Sequence, residues 1–202
     1  MSQAGPDAAW LNDLPELIGC AARGDTDRVA SLLASGADPD EADETGWTAL
    51  HAAAVFDHLP AVASLLSAGA SVDSRTDSGF TPLLNASRAS APVVAALLTA
   101  GADPSAQEHG LGWRPLDRFA ECGNLEAVRL VLDAGAAVNA TDFAGSTALM
   151  SAAEQGEAAC VAALLEHGAD PSLTDNDGNT AAALAARQGH HPVAAFISAR
   201  KS

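Results

Sequence analysis

Apolar positions in this chain gather in short blocks that come in pairs, and each pair is closed by a glycine. One pair runs Ala49-Leu50-His51-Ala52-Ala53-Ala54, then Val62-Ala63-Ser64-Leu65-Leu66-Ser67, and ends at Ala68-Gly69. The prolines mark where the blocks begin. Pro15, Pro82 and Pro115 open the first block of a pair, and Pro60, Pro92 and Pro192 open the second. Proline is tolerated in the first turn of a helix, where its missing N–H would have had no partner. Pro39, Pro104 and Pro171 follow the Gly-Ala-Asp that closes a second block, where proline stops a helix from continuing. Each pair therefore predicts helix, short turn, helix, glycine stop and extended loop. In the pair quoted, the helices are expected over about Ala49 to Phe56, with Thr48 as N-cap, and over about Pro60 to Ser67. Gly69 falls where a left-handed residue ends the second helix.

The pairs recur with a fixed period. Gly46, Gly79, Gly112, Gly145 and Gly178 are spaced by 33 residues. Gly36, Gly69, Gly101, Gly135 and Gly168 keep the same period, except that Gly101 comes one residue early. Gly24, Gly123, Gly156 and Gly189 form a third series, with Asp57 and Ser90 in its two empty slots. The repeats then lie near 10–42, 43–75, 76–108, 109–141, 142–174 and 175–202, as one domain after a flexible segment over 1–9. The third and fourth repeats depart most from the pattern. The turn Ala89-Ser90-Ala91 is one residue short, and the loop Ser105 to Leu111 is one longer. Arg114 replaces a capping Thr, and Phe119 replaces a small Ala. The longer loop, with His109, Gly110 and Leu111 beside Trp113, reads either as a contact finger or as a neutral insertion of the kind surface loops accept.

Helices of about two turns do not recover their nucleation cost alone. They must bury their Leu/Val/Ala stripes against the neighbouring pair, which gives a stack with nearest-neighbour contacts. Leu32, Leu33, Val62, Leu65, Leu66, Leu97, Leu98, Val128, Leu132, Val161, Leu164 and Leu165 are expected to form one continuous core. Ala52, Ala53, Ala152 and Ala153 are expected to let helices approach closely. The ends, Trp10-Leu11-Asn12-Asp13 and Phe196-Ile197-Ser198 with Arg200-Lys201, read as caps.

Thr48-Ala49-Leu50-His51-Ala52-Ala53-Ala54 with Val62 to Ala70, and the in-phase Thr81-Pro82-Leu83, Thr147-Ala148-Leu149 and Thr180, resemble the ankyrin repeat family, whose signature is T-P-L-H-x-A. The resemblance implies an all-α solenoid of about six stacked helix-turn-helix repeats joined by hairpin-like loops. It also implies a non-catalytic module that binds a partner protein through a concave groove and its loop tips, with His51 bonded locally near Thr48.

Composition narrows the classes further. Hydrophobic residues make up 48% of the 202, which excludes a disordered chain, and aromatics only 4%. A net charge of −16 argues against non-specific binding of nucleic acid and against an anionic membrane surface. No apolar run approaches the roughly 18 residues a membrane helix needs, and no secretory signal is apparent, so a cytoplasmic protein with reduced Cys20, Cys122 and Cys160 is expected. No nucleophile elbow, phosphate loop or metal-ligand spacing occurs, so neither cofactor, metal nor enzymatic activity is expected. The acidic run Asp38 to Glu44 reads as a solvated loop, or alternatively as an electrostatic guide for a basic partner.

In ankyrin-like stacks the residue after the loop glycine lies on the binding surface. Here it is Trp47, Phe80, Trp113, Ser146 and Asn179, with Phe56, Arg88 and Cys122 at neighbouring groove positions. Trp and Arg are enriched among interface hot spots, so Trp47, Phe56, Phe80, Arg88, Trp113 and Cys122 form the candidate partner-binding set. The competing reading is that the rings only cover their own loops. The partner expected is another protein, basic or carrying an apolar anchor, bound by a monomer. The alternative is self-association through the same patch or through Phe196-Ile197.

Overall fold

The computed structural model describes residues 14–200. The segment 1–9, the cap at Trp10 to Asp13 and Lys201 lie outside the described residues. Those residues fall into two compact units, 14–103 and 104–200. The first contains α1 (Glu16–Arg23), α2 (Thr26–Ala34), α3 (Ala49–Val55), α4 (Leu59–Ser67), α5 (Pro82–Asn85) and α6 (Ala91–Thr99). The second contains α7 (Pro115–Glu121), α8 (Leu125–Asp133), α9 (Ala148–Gln155), α10 (Ala158–Glu166), α11 (Ala181–Arg187) and α12 (His191–Ser198). Within each unit the first helices of successive repeats pack in one row and the second helices in another: α1 on α3 on α5 beside α2 on α4 on α6, and α7 on α9 on α11 beside α8 on α10 on α12. The loops are hairpin-like, pinched by isolated antiparallel bridges at Ala42–Thr48, Thr141–Thr147 and Thr174–Thr180.

All fourteen glycines of the three series have positive φ. At Gly156 the need is double. Its φ is 77°, and a Cβ there would come within 2.5 Å of the His190 ring, which leads the second helix of the next repeat. Asp57, in an empty slot of that series, is the one non-glycine with positive φ among the described residues, at 61°. Its short side chain tolerates that region, and its Oδ1 accepts the Ser90 amide of the following repeat at 2.7 Å. Ser90 behaves differently. In the turn that is one residue short, α5 stops after four residues and Ser90 stays extended, with φ −66° and ψ 156°, as the residue before α6.

The core follows the apolar blocks with one correction. Val62, Leu65, Leu97, Val128, Val161 and Leu164 are fully buried, and so are Ala52, Ala53, Ala152 and Ala153. Leu33, Leu66, Leu98, Leu132 and Leu165 are only half-buried. Adjacent helical residues point about 100° apart, so only the first Leu of each pair faces inward. In α8 that inner place is taken by Val131, and Phe119 fills its alanine position with no exposure. Leu32 is also half-buried, in α2, whose buried residue is Val29.

The acidic run is more than a solvated loop. Asp38 accepts the Asp40 amide at 3.0 Å, Asp40 accepts the Ser71 amide of the next repeat at 2.7 Å, and Asp43 accepts the Thr45 and Trp47 amides at 2.8 and 3.0 Å. Asp73 and Asn139 repeat the cross-repeat bond to Asp103 and Asp170. Burial without slack makes the inner leucines costly to shorten: Leu65→Ala should lower stability by about 2–5 kcal/mol, seen as a clear drop in melting temperature. An unchanged melt would contradict the packing.

Candidate functional site

Four loops are held by a carboxylate at their start, and in the loop that begins at Thr76 its hydroxyl takes that role, accepting the Phe80 amide at 3.1 Å. Asp142 accepts the Ala144 and Ser146 amides at 2.9 and 2.8 Å, and Asp175 those of Asp177 and Asn179 at 3.0 and 2.7 Å. In the loop that is one residue longer, Glu108 takes this role, accepting the amides of Gly110, Leu111 and Trp113 at 2.5, 2.7 and 3.0 Å. Its extra methylene reaches across the insertion. Burial acts to raise the Glu108 pKa, but the amides of Trp113, Gly110, Leu111 and Gly112 outweigh it and hold the carboxyl below its ordinary value. The side chain after each loop glycine is thereby fixed just ahead of a first helix.

In the first unit the anchor is His51, which is fully buried. Its Nδ1 accepts the Thr48 amide at 3.2 Å and lies 2.9 Å from Thr48 Oγ1. Nε2 therefore carries the proton and donates to the Phe80 carbonyl at 3.1 Å. This is the local bond expected at Thr48, with a link to the next loop added. Burial pushes the His51 pKa below its ordinary value, against the hydrogen bonds at Phe80 and Ser74. The half-buried Trp47 stacks on the His51 ring, with centroids 5.3 Å apart and planes at 27°. Trp47 and Phe80 thus meet through one histidine. Phe56 is 40% exposed beside His58, and Arg88 is exposed.

The second unit contains a cleft of about 290 Å³ lined by residues of its loops and first helices. Trp113 forms part of its wall. The indole N–H of Trp113 donates to Asp142 at 3.2 Å, and the Arg118 guanidinium sits 4.9 Å over the ring. Arg118 also pairs with Glu121 at 3.0 Å. Asp117 stands where His51 stands in its own repeat. It accepts the Arg114 amide at 2.9 Å and so closes the helix start that a Thr would otherwise cap, while Arg114 reaches the Thr141 carbonyl at 2.7 Å. Burial pushes Asp117 up to about 7, with the Arg114 amide and charge opposing and Asp142 adding. Cys122 is half-buried and does not line this cleft; Glu121, the residue before it, does.

Two residues at this surface were not in the candidate set. Leu111 and Phe143 are 56% and 60% exposed and adjacent, the Phe143 amide donating to the Leu111 carbonyl at 3.0 Å. Phe143 also covers Gly112, where a Cβ would come within 2.7 Å of the ring. The available signal was phase: Phe143 matches Glu44, Asp77, Gly110 and Asn176, and is the one bulky apolar residue among them. Cys20 and Cys160 are buried, and burial pushes the Cys160 thiol up to about 11. Among the described residues no three His, Cys, Asp or Glu side chains are grouped to hold a metal ion, and no helix is long and apolar enough to cross a membrane.

A family model described as "Ankyrin repeats (3 copies)" matches residues 17–108, 90–175 and 116–201. Among solved structures, an ankyrin repeat domain from Acinetobacter baumannii AYE is similar at 31% identity and a TM-score of 0.79, over 91% of this chain and 96% of that one. The ankyrin repeat domain of Bcl-3, a member of the IkappaB family, is similar at 31% identity and a TM-score of 0.75, over 88% and 80%. A further ankyrin repeat protein matches at 27% identity and a TM-score of 0.82, over 92% and 97%. No curated protein sequence matches the chain.

His51 and Asp117 occupy the same helical position and respond to pH in opposite directions. The folded pKa of His51 is depressed, so its contribution is complete above the unfolded value of about 6.5 and is lost as pH falls. The folded pKa of Asp117 is raised, so its contribution is complete below the unfolded value of about 4 and is lost as pH rises through about 7. His51→Gln should therefore lower the melting temperature more near pH 7.5 than near pH 5.5. Asp117→Asn, which keeps an acceptor for the Arg114 amide, should gain on the wild type between about pH 5 and pH 8. A pH-independent offset in either variant would refute the corresponding assignment.

Proposed function

Because the chain belongs to the ankyrin repeat family, whose domains are in general protein–protein interaction modules, we propose that it acts without catalysis, as a monomer in the cytoplasm, by holding another protein. Partner contacts are made by Trp47, Phe56, Phe80 and Arg88 in the first unit and by Trp113 and Cys122 in the second. The observation that carries this reading is the fixation of Trp47 and Phe80 by His51, at 5.3 Å between rings and 3.1 Å to the Phe80 carbonyl. A half-exposed ring whose backbone and neighbours are already ordered loses little entropy on binding. Tryptophan and arginine are also the side chains that dominate interface energies. The net charge of −16 favours a basic partner or one presenting an apolar anchor with basic neighbours. Self-association through the C-terminal end lacks comparable support, since the Phe196 ring lies under the Arg200 guanidinium at 4.9 Å.

Affinity capture with the wild type and with a Trp47→Ala, Phe80→Ala, Trp113→Ala triple variant tests the reading. Partners retained by the wild type should be lost from the variant, with unchanged circular dichroism showing that the helices are intact. Equal capture by both proteins would remove these aromatics from the binding surface.

A further inference from the structure

We propose that the cleft of the second unit is a socket for one cationic side chain, lysine or arginine, of a partner protein, with a neighbouring apolar residue of that partner resting on Leu111 and Phe143. This deepens the protein-binding reading and depends on it.

Size is the first argument. About 290 Å³ lies at the lower end of small-molecule pockets, enough for one long side chain. Charge is the second. The lining holds six carboxylates, among them Asp117, Glu121 and Asp177, against one arginine, Arg187. That arginine is already 3.4 Å from Glu154. The third argument is an unfilled acceptor. Asp117 is only 5% exposed and lines the cleft, yet one of its oxygens takes the Arg114 amide and the other has no donor among the described residues. That second oxygen is open to the cleft, and an ammonium or guanidinium entering there would donate to it.

The rim decides between a protein and a bare ion. Leu111 lines the cleft, and with Phe143 it presents two large apolar side chains, each more than half exposed, beside the acidic wall. A metal ion would gain nothing from that pair, and no three ligating side chains among the described residues are grouped for one. A polyamine satisfies the carboxylates but leaves the apolar pair in water. A peptide segment carrying Lys or Arg next to Leu, Ile or Phe satisfies both.

The test begins with a random peptide library displayed on phage and selected on the full chain. The consensus peptide is then synthesised with a fluorescent label and titrated by anisotropy. The expected consensus fixes one Lys or Arg within about three residues of a large apolar residue, a reach set by side-chain length in an extended segment. Binding should weaken at least tenfold in Asp117→Asn, in the Glu121→Gln, Asp177→Asn double variant and in Leu111→Ser. It should also weaken when norleucine replaces the basic residue of the peptide. Overturning results are a consensus without a basic residue, no consensus at all, affinity indifferent to these variants, or spermine alone competing as well as the peptide. Loss of binding only in Trp47→Ala or Phe80→Ala would overturn the socket while leaving the protein-binding reading in place. Failure of the triple-alanine capture experiment would instead strike that broader reading.

Discussion

Helices of four to nine residues cannot sustain themselves in water, and every other feature of this protein follows from that limit. Each helix is stable only because its inner face is covered by the corresponding helix of the repeat before or after. Leu65, Leu97 and Leu164 are the residues that meet this demand, and buried alanines let the rows come close. The chain must then reverse direction after each short helix, which is why left-handed glycines fill so many fixed positions. The loops inherit the same arrangement, since each must place the next first helix in line. Carboxylates, and in one loop the Thr76 hydroxyl, hold the backbone while the residue after the glycine remains available at the surface.

One helical position shows how a repeating backbone carries different chemistry. The third residue of the first helix is His51, Leu84, Asp117, Met150 or Ala183. His51 uses both ring nitrogens, binding its own N-cap and the next loop. Leu84 and Met150 pack as core. Asp117 closes the helix start behind Arg114 and leaves a carboxylate oxygen at a cleft wall. The geometry is common to all, and the side chain decides whether the position ties, fills or attracts.

Much of this was legible in the sequence because repetition encodes backbone geometry directly. The glycine phases marked the left-handed positions, Thr48 and His51 marked a bonded helix start, and Pro15, Pro60, Pro82, Pro92, Pro115 and Pro192 marked helix starts to within a residue. Which leucine of a pair faces inward was not legible from composition. It depends on the helix phase relative to a neighbour, and Val131 rather than Leu132 shows this. The cleft was also hidden. Asp117, Glu154 and Asp177 are unremarked polar residues until the fold brings three different repeats to one place. Glu108 was passed over for a related reason, since the value of its extra methylene is visible only once the longer loop has a shape. Regular positions describe the scaffold, whereas the site is made of departures from regularity whose meaning lies in through-space partners.

The open side of three of the four inter-helix glycines is filled by the residue leading the second helix one repeat on: His58 over Gly24, Glu157 over Gly123 and His190 over Gly156. At these three joints imidazole and carboxylate serve alike, each a planar group over a bare α-carbon. Such a joint is interchangeable between neighbours. A genetic duplication or loss of a whole 33-residue segment would rejoin compatible surfaces, so the length of the array can change by recombination without a fresh search for fit.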